Sequence, residues 1–388
     1  MRGAVSRLST DRLLEQACAS AGLDDFGDLP FLDALQAQLW SLEHESGQPP
    51  ERLDGLCEGI VRLLVKRLGL VADRKRFPEI AQQRVEAPLI VLGLPRTGST
   101  HLHALLASRP GARAPLQWEM TLPSPPPEAA TFDRDPRIAQ VQDQLDSRPN
   151  ARQIKAIHPY GALRPEQCIG LIDWSFVNST VLALNRMPGY FEWFLGADHR
   201  PAYEHHRRTL QHLQWRNPGE WVLKWPKHVF SLDALLATYP DARIVWTHRD
   251  PATAVASVAS YVGLLRASSS PTYEAVRFGS EWSALEEIGI LRAMAARERA
   301  ADGRRFYDVH YNDLMADPVA TVTGIYEHFG VPVTDETIRR VADFQRDNPQ
   351  NKHGAHSYSA EQFGLDRDRL RSRFAAYIER FGVEPDRP

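Results

Sequence analysis

Three groups of residues in this chain are typed and spaced for anion chemistry. The first is Gly93-Leu94-Pro95-Arg96-Thr97-Gly98-Ser99-Thr100. Two glycines separated by four residues and followed by hydroxyls nearly reproduce the phosphate-binding pattern G-x-x-x-x-G-K-[ST]. The lysine after the second glycine is missing, and a cation stands inside the loop instead, at Arg96. Backbone N–H groups at such a turn, with a helix dipole behind them, form an anion site. The pattern predicts phosphate binding without standard Mg·ATP chemistry. The plainer alternative is a strand-to-helix turn whose glycines serve geometry alone.

The second group is Arg249 and Ser257, either side of Asp250-Pro251. An acidic cap followed by proline marks a helix start, so Arg249 stands at the end of the preceding strand. Ser257 then lies about 10 Å along the helix axis. An arginine bending back over that helix would share an anion with the Ser257 hydroxyl, making a second phosphate subsite. The third group is Asn351-Lys352-His353-Gly354, in a stretch of loop formers with interleaved cations. Such a loop can close over an anion or simply link to the last helix.

Proton-transfer candidates are fewer. Glu119 follows Trp118 at the mouth of the irregular, proline-rich stretch Leu122–Pro127, and is a candidate base. Lys224 and His228 lie at or just past the end of an apolar run, Trp221–Leu223. No metal site is expected. His101 and His103 are two apart on a helix and point in different directions. His205 and His206 are adjacent and are read as surface residues.

These residues need a scaffold. Leu89–Leu92 reads as a strand buried on both faces, with a helix from Ser99 onward. Trp221–Leu223, the helix Ser231–Tyr239 and Ile244–Trp246 form a second strand–helix–strand unit of parallel type. Arg305–His310 is a further strand, ending at Tyr311. The fold class is therefore α/β: a P-loop-type central parallel sheet flanked by helices, with its site at the strand C-termini. Residues 1–86 form an N-terminal helical cap or extension. Residues 87–388 form the α/β domain, with a helical insertion at about 133–218 whose aromatics can line an apolar acceptor pocket. A long charged helix spans 278–300 and a final helix Arg367–Phe381.

Composition excludes several classes. The chain has 388 residues and a formal net charge of -3, so no global field recruits nucleic acid or an anionic membrane. Cys18, Cys57 and Cys168 are few and widely spaced, as free buried thiols of a reducing compartment would be. No run of apolar residues is long enough for a membrane span, and the first residues lack an apolar signal core. A cytoplasmic location is the expectation.

The strand-LPRTGST-helix unit, the VWTHRDP-x5-S unit and the segment from Asn351 to Leu365, in this order, resemble the sulfotransferases that use 3′-phosphoadenosine 5′-phosphosulfate (PAPS), in their broad bacterial branch. The resemblance covers roughly residues 88 to 366. It implies that Arg96, Thr97, Gly98, Ser99 and Thr100 hold the 5′-phosphosulfate, with His101 and Tyr311 beside them. Arg249 and Ser257 would hold the 3′-phosphate, and Lys352, His353 and Gly354 would close on it, in an order altered from the usual arginine-lysine-glycine. The base would be Glu119 or His228, with Glu166 a third acid read more simply as structural. Arg96 and Lys224 would stabilise the transferring sulfuryl group without a metal. The acceptor would be a hydroxyl on a small or lipid-like molecule. A Mg·ATP-dependent P-loop kinase or a non-catalytic nucleotide-binding protein are the alternatives.

Overall fold

The computed structural model describes residues 8–147, 160–300, 302–348 and 359–386. Lys352, His353 and Gly354 lie outside them. Five strands form one sheet: β1 (Leu89–Gly93), β2 (Ala112–Arg113), β3 (Glu220–Lys224), β4 (Arg243–His248) and β5 (Phe306–His310). Their order is β2-β3-β1-β4-β5, and every pairing is parallel. All five residues of β1 are buried. Its register sets Ile90 beside Leu223 on one side and Ile244 on the other.

Alternation along the central strands builds two cores. Ile90, Leu92, Leu223, Ile244 and Trp246 face one of them. Leu89, Val91, Val222 and Val245 face the other, against Leu102, Leu105 and Leu106 of the helix Ser99–Ala107. The first core is the larger and takes in the N-terminal helices through Leu35, Leu64 and Leu68. Arg67 fastens them, donating to the carbonyls of Phe26 (2.8 Å), Leu29 (2.6 Å) and Trp174 (3.3 Å).

Several elements differ from the sequence expectation. The helix that starts at Pro50 runs on to Arg76, with Gly69 inside it where Ser124 comes close. The last helix is two, Arg367–Arg373 and Ala375–Phe381, separated at the buried Phe374. Cys18 and Cys57 are half-buried, and only Cys168 is fully so. His205 and His206 are not surface residues. The helix Arg200–Gln214 is covered on most sides, so both are buried, and His206 Nδ1 meets the Tyr239 hydroxyl at 2.6 Å.

Burial pushes the His103 and His206 imidazoles down to about 3, from an ordinary value of 6.5. The unfolded chain takes up protons below 6.5 while these rings stay neutral in the fold. Stability is therefore intact above 6.5 and falls as pH drops from there toward 3, by about 1.4 kcal/mol per ring per pH unit. Urea midpoints measured at pH 7.5 and pH 5 should differ, the lower pH being less stable, and the gap should narrow in His206→Asn; a gap unchanged by that substitution would show that this ring is not held neutral.

Candidate functional site

The C-terminal ends of β1, β3 and β4 open into a cavity of about 1270 Å³. The loop after β1 forms one wall. Gly93 has φ 137° and lies so close to the Thr247 carbonyl that a Cβ would collide with it. Gly98, with φ 79°, supplies the second left-handed turn, directly before the helix Ser99–Ala107. Arg96 adopts φ 68° without being glycine, a conformation that costs of order 1 kcal/mol or more and persists only when its surroundings impose it. Arg96, Gly98, Ser99, Thr100 and His101 line the cavity. The Thr97 side chain does not: it is buried, donating to the Leu94 carbonyl (2.8 Å) and meeting the Thr247 hydroxyl (2.6 Å). It braces the loop from behind.

β3 delivers Lys224 to the same cavity. The side chain is 2 % exposed, and its Nζ donates to Thr100 Oγ1 at 3.2 Å. Burial lowers its pKa from 10.5 to about 8, against the pull of the Glu166 carboxylate. Glu166, read from the sequence more simply as structural, lines the cavity as well. Its segment is anchored on both sides. Glu166 donates its backbone N–H to the Pro115 carbonyl (2.9 Å), and Cys168 donates to the Lys224 carbonyl (2.9 Å). Tyr261, four residues after Ser257 and so on the same face of its helix, also borders the cavity. Burial raises its hydroxyl pKa, and the neighbouring Glu166 charge raises it further.

The two bases named first from the sequence are elsewhere. Glu119 is fully buried, ion-paired with Arg113, and accepts the Leu116 N–H through Oε2 (3.0 Å). Burial pushes its pKa up in spite of Arg113. Its neighbours Gln117 and Met120 reach the cavity, but Glu119 points into the protein to close the start of its short helix. His228 is likewise buried behind Trp225, Pro226 and Lys227, which do line the cavity. Its Nδ1 meets the Tyr203 hydroxyl at 2.6 Å, and burial holds its pKa well below 6.5.

Arg249 and Ser257, read from the sequence as sharing an anion, are linked here through Arg96. Arg249 Nη1 donates to the Arg96 carbonyl (2.7 Å), and Arg96 Nε donates to Ser257 Oγ (3.2 Å). Arg249 lies over the Tyr311 ring, 3.7 Å from its centroid, and both residues line the cavity. The other half of the lining is apolar, including Met120, Ile169, Val258, Val262, Leu265 and Trp282. The arrangement offers a loop-and-helix anion cradle, a buried cation, a carboxylate beside it and an apolar chamber in one space. Tyr261 was legible only as a helix position, and Trp282 carries no local signal in the sequence.

Known proteins share this fold. A family model described as "Sulfotransferase family" matches residues 88–335. The crystal structure of sulfotransferase STF9 from Mycobacterium avium superposes with a TM-score of 0.89, at 28% identity over 100% of both chains. That of sulfotransferase STF1 from Mycobacterium tuberculosis gives a TM-score of 0.84, at 32% identity over 96% of this chain and 100% of the other. An omega-hydroxy-beta-dihydromenaquinone-9 sulfotransferase, Stf3, of Mycobacterium bovis is 23% identical over 313 residues, 78% of this chain and 77% of its own. A family model that spans the loop, β3, β4 and β5 together, over a fold shared from end to end, identifies this chain as a member of the sulfotransferase family.

Proposed function

We propose that the enzyme moves a sulfuryl group from PAPS to a hydroxyl of a lipid-like acceptor, with Glu166 as the base. One observation carries this reading: Glu166, Lys224, Thr100 and Arg96 line a single cavity whose opposite walls are apolar. The space exceeds the several hundred Å³ of an ordinary small-molecule site and has room for a nucleotide and an acceptor together.

The donor supplies a sulfuryl group already activated on a phosphate leaving group. The chain's residues do the rest. The backbone of Gly98–Thr100 and the guanidinium of Arg96 bind the 5′-phosphosulfate. Arg249 and Tyr311, with Ser257 acting through Arg96, border the 3′-phosphate. Lys224, at the junction of cradle and chamber, faces the charge that builds on the bridging oxygen. In a site with little water that interaction is strong and is already in place before reaction. Glu166 accepts the acceptor's proton as the new S–O bond forms and the S–O bond to phosphate breaks, leaving 3′,5′-ADP. A transferring sulfuryl group carries less charge than a phosphoryl group, so Lys224 and Arg96 suffice without a divalent ion. Lys352, His353 and Gly354 keep the role that the family resemblance implies, closure over the 3′-phosphate.

The apolar half of the cavity supports an acceptor that presents its hydroxyl on a long hydrocarbon body. Stf3, by its name, acts on a menaquinone derivative. A panel of such alcohols with PAPS, run with and without EDTA, tests the activity. Product that survives EDTA supports the reading; product with Mg·ATP alone would make the protein a kinase.

Two variants divide the roles. Measured well below pH 8, where Lys224 stays protonated, Glu166→Gln should lower kcat by about 10²–10⁴ and leave donor affinity unchanged. Unchanged turnover would remove Glu166 as base. Lys224 is protonated below its pKa of about 8, so in the donor-free enzyme kcat/KM for the donor should fall as pH rises through 8. Lys224→Arg should move that falling limb to higher pH; an unmoved limb would assign it to another group.

A further inference from the structure

Arg249 is shared between two cavities. Besides the main cavity it borders a smaller one of about 220 Å³, formed with His310, Asn312, Asp313 and the chain segment 382–386. That segment crosses the mouth of the strands with Glu384 and Pro385 exposed. Val383 is buried, and two side chains tie down the residues after it. Asn312 Nδ2 donates to the Pro385 carbonyl at 3.0 Å, and Arg249 grips Asp386. The grip is bidentate: Nε contacts the two carboxylate oxygens at 3.1 and 3.0 Å, and Nη2 contacts Oδ2 at 2.6 Å.

This is the edge of the guanidinium that suits a phosphate. The Nε–Nη2 fork matches two oxygens of a carboxylate or of a phosphate equally well. The remaining corner, Nη1, already holds the Arg96 carbonyl, and Tyr311 covers one face. An anion arriving from the main cavity therefore meets a guanidinium whose best edge is taken and whose charge is largely neutralised. Both partners are mostly buried, 17 % and 23 % exposed, so the pairing is less screened than at an open surface.

We propose that Asp386 is an internal stand-in for the 3′-phosphate and a specificity-determining residue for the donor. The inference rests on Arg249 being the 3′-phosphate ligand. A phosphate, with its greater charge, displaces the carboxylate; a nucleotide without a 3′-phosphate leaves the pair intact and gains nothing from Arg249. Asp386 thereby sets how much of the guanidinium's attraction appears as net affinity. It also keeps Arg249 turned toward the side cavity when no donor is bound.

The test is selectivity, not activity. The full chain is titrated calorimetrically with adenosine 3′,5′-bisphosphate and with 5′-AMP, and the ratio of the two dissociation constants is taken. Asp386→Asn removes the competing charge, keeps the side chain's size, and lies outside the core. It should raise the preference for the 3′-phosphorylated nucleotide about tenfold, the effect shrinking at high salt. Arg249→Ala, run in parallel, should collapse the preference in either background. If Arg249→Ala collapses it but Asp386→Asn leaves it unchanged, the stand-in is overturned and the subsite stands. If Asp386→Asn weakens the preference, Asp386 orients Arg249 instead of competing, and the proposal again fails. If Arg249→Ala leaves the preference intact, the 3′-phosphate reading itself is wrong.

Discussion

A lysine ammonium withdrawn from water is the constraint around which this site is built. Lys224 ends a buried strand, is 2 % exposed, and has had its pKa lowered to about 8 by desolvation. A buried cation without company costs several kcal/mol. The fold meets that cost from three directions. Thr100 Oγ1 accepts from Nζ, the Glu166 carboxylate stands near, and the Cys168–Lys224 backbone bond fixes the segment that carries Glu166. On the proposed reading, the same partners ready the site for transfer. A cation already stripped of water acts on developing negative charge without first having to shed it.

The loop after β1 is held in a comparable way. Arg96 sits at positive φ, a conformation its own residue type resists. It is fixed by its carbonyl, which accepts from Arg249, and by its Nε, which donates to Ser257. Behind the loop, the Thr97 hydroxyl meets that of Thr247 on β4, where Gly93 leaves space for the Thr247 backbone. The cradle and the Arg249–Ser257 pair, which the sequence suggests as a separate phosphate subsite, are thus one hydrogen-bonded unit. Substitutions at Ser257 or Arg249 act on loop geometry as well as on any ligand.

The scaffold was legible because it rests on short-range rules. Leu89–Leu92, Trp221–Leu223 and Ile244–Trp246 are apolar runs, Arg305–His310 is a mixed run around Phe306 and Val309, and each became a strand in a single parallel sheet. The glycine spacing placed the loop. What the chain order hid was side-chain direction. Glu119, beside a tryptophan and next to a proline-rich loop, has the look of a base, yet Arg113 from β2 draws it inward. Arg113 is six residues away, on a strand only two residues long that no periodicity announces. His228 comes soon after Lys224, but the turn Pro226–Phe230 rotates it to Tyr203 on the helix Arg200–Gln214. Glu166 reaches the cavity through an isolated bridge between Leu116 and Pro165, a long-range pairing that composition cannot reveal.

On the proposed reading, the loop from Gly93 to Thr100 cradles the phosphosulfate end of the donor beside Lys224 and Glu166. A crystal structure with adenosine 3′,5′-bisphosphate and an apolar alcohol tests it most directly. The 5′-phosphate oxygens should lie about 3 Å from the backbone nitrogens of Gly98–Thr100, with the alcohol oxygen within hydrogen-bond reach of Glu166. A nucleotide seated away from the loop, or an alcohol oxygen facing a different acid, would contradict it.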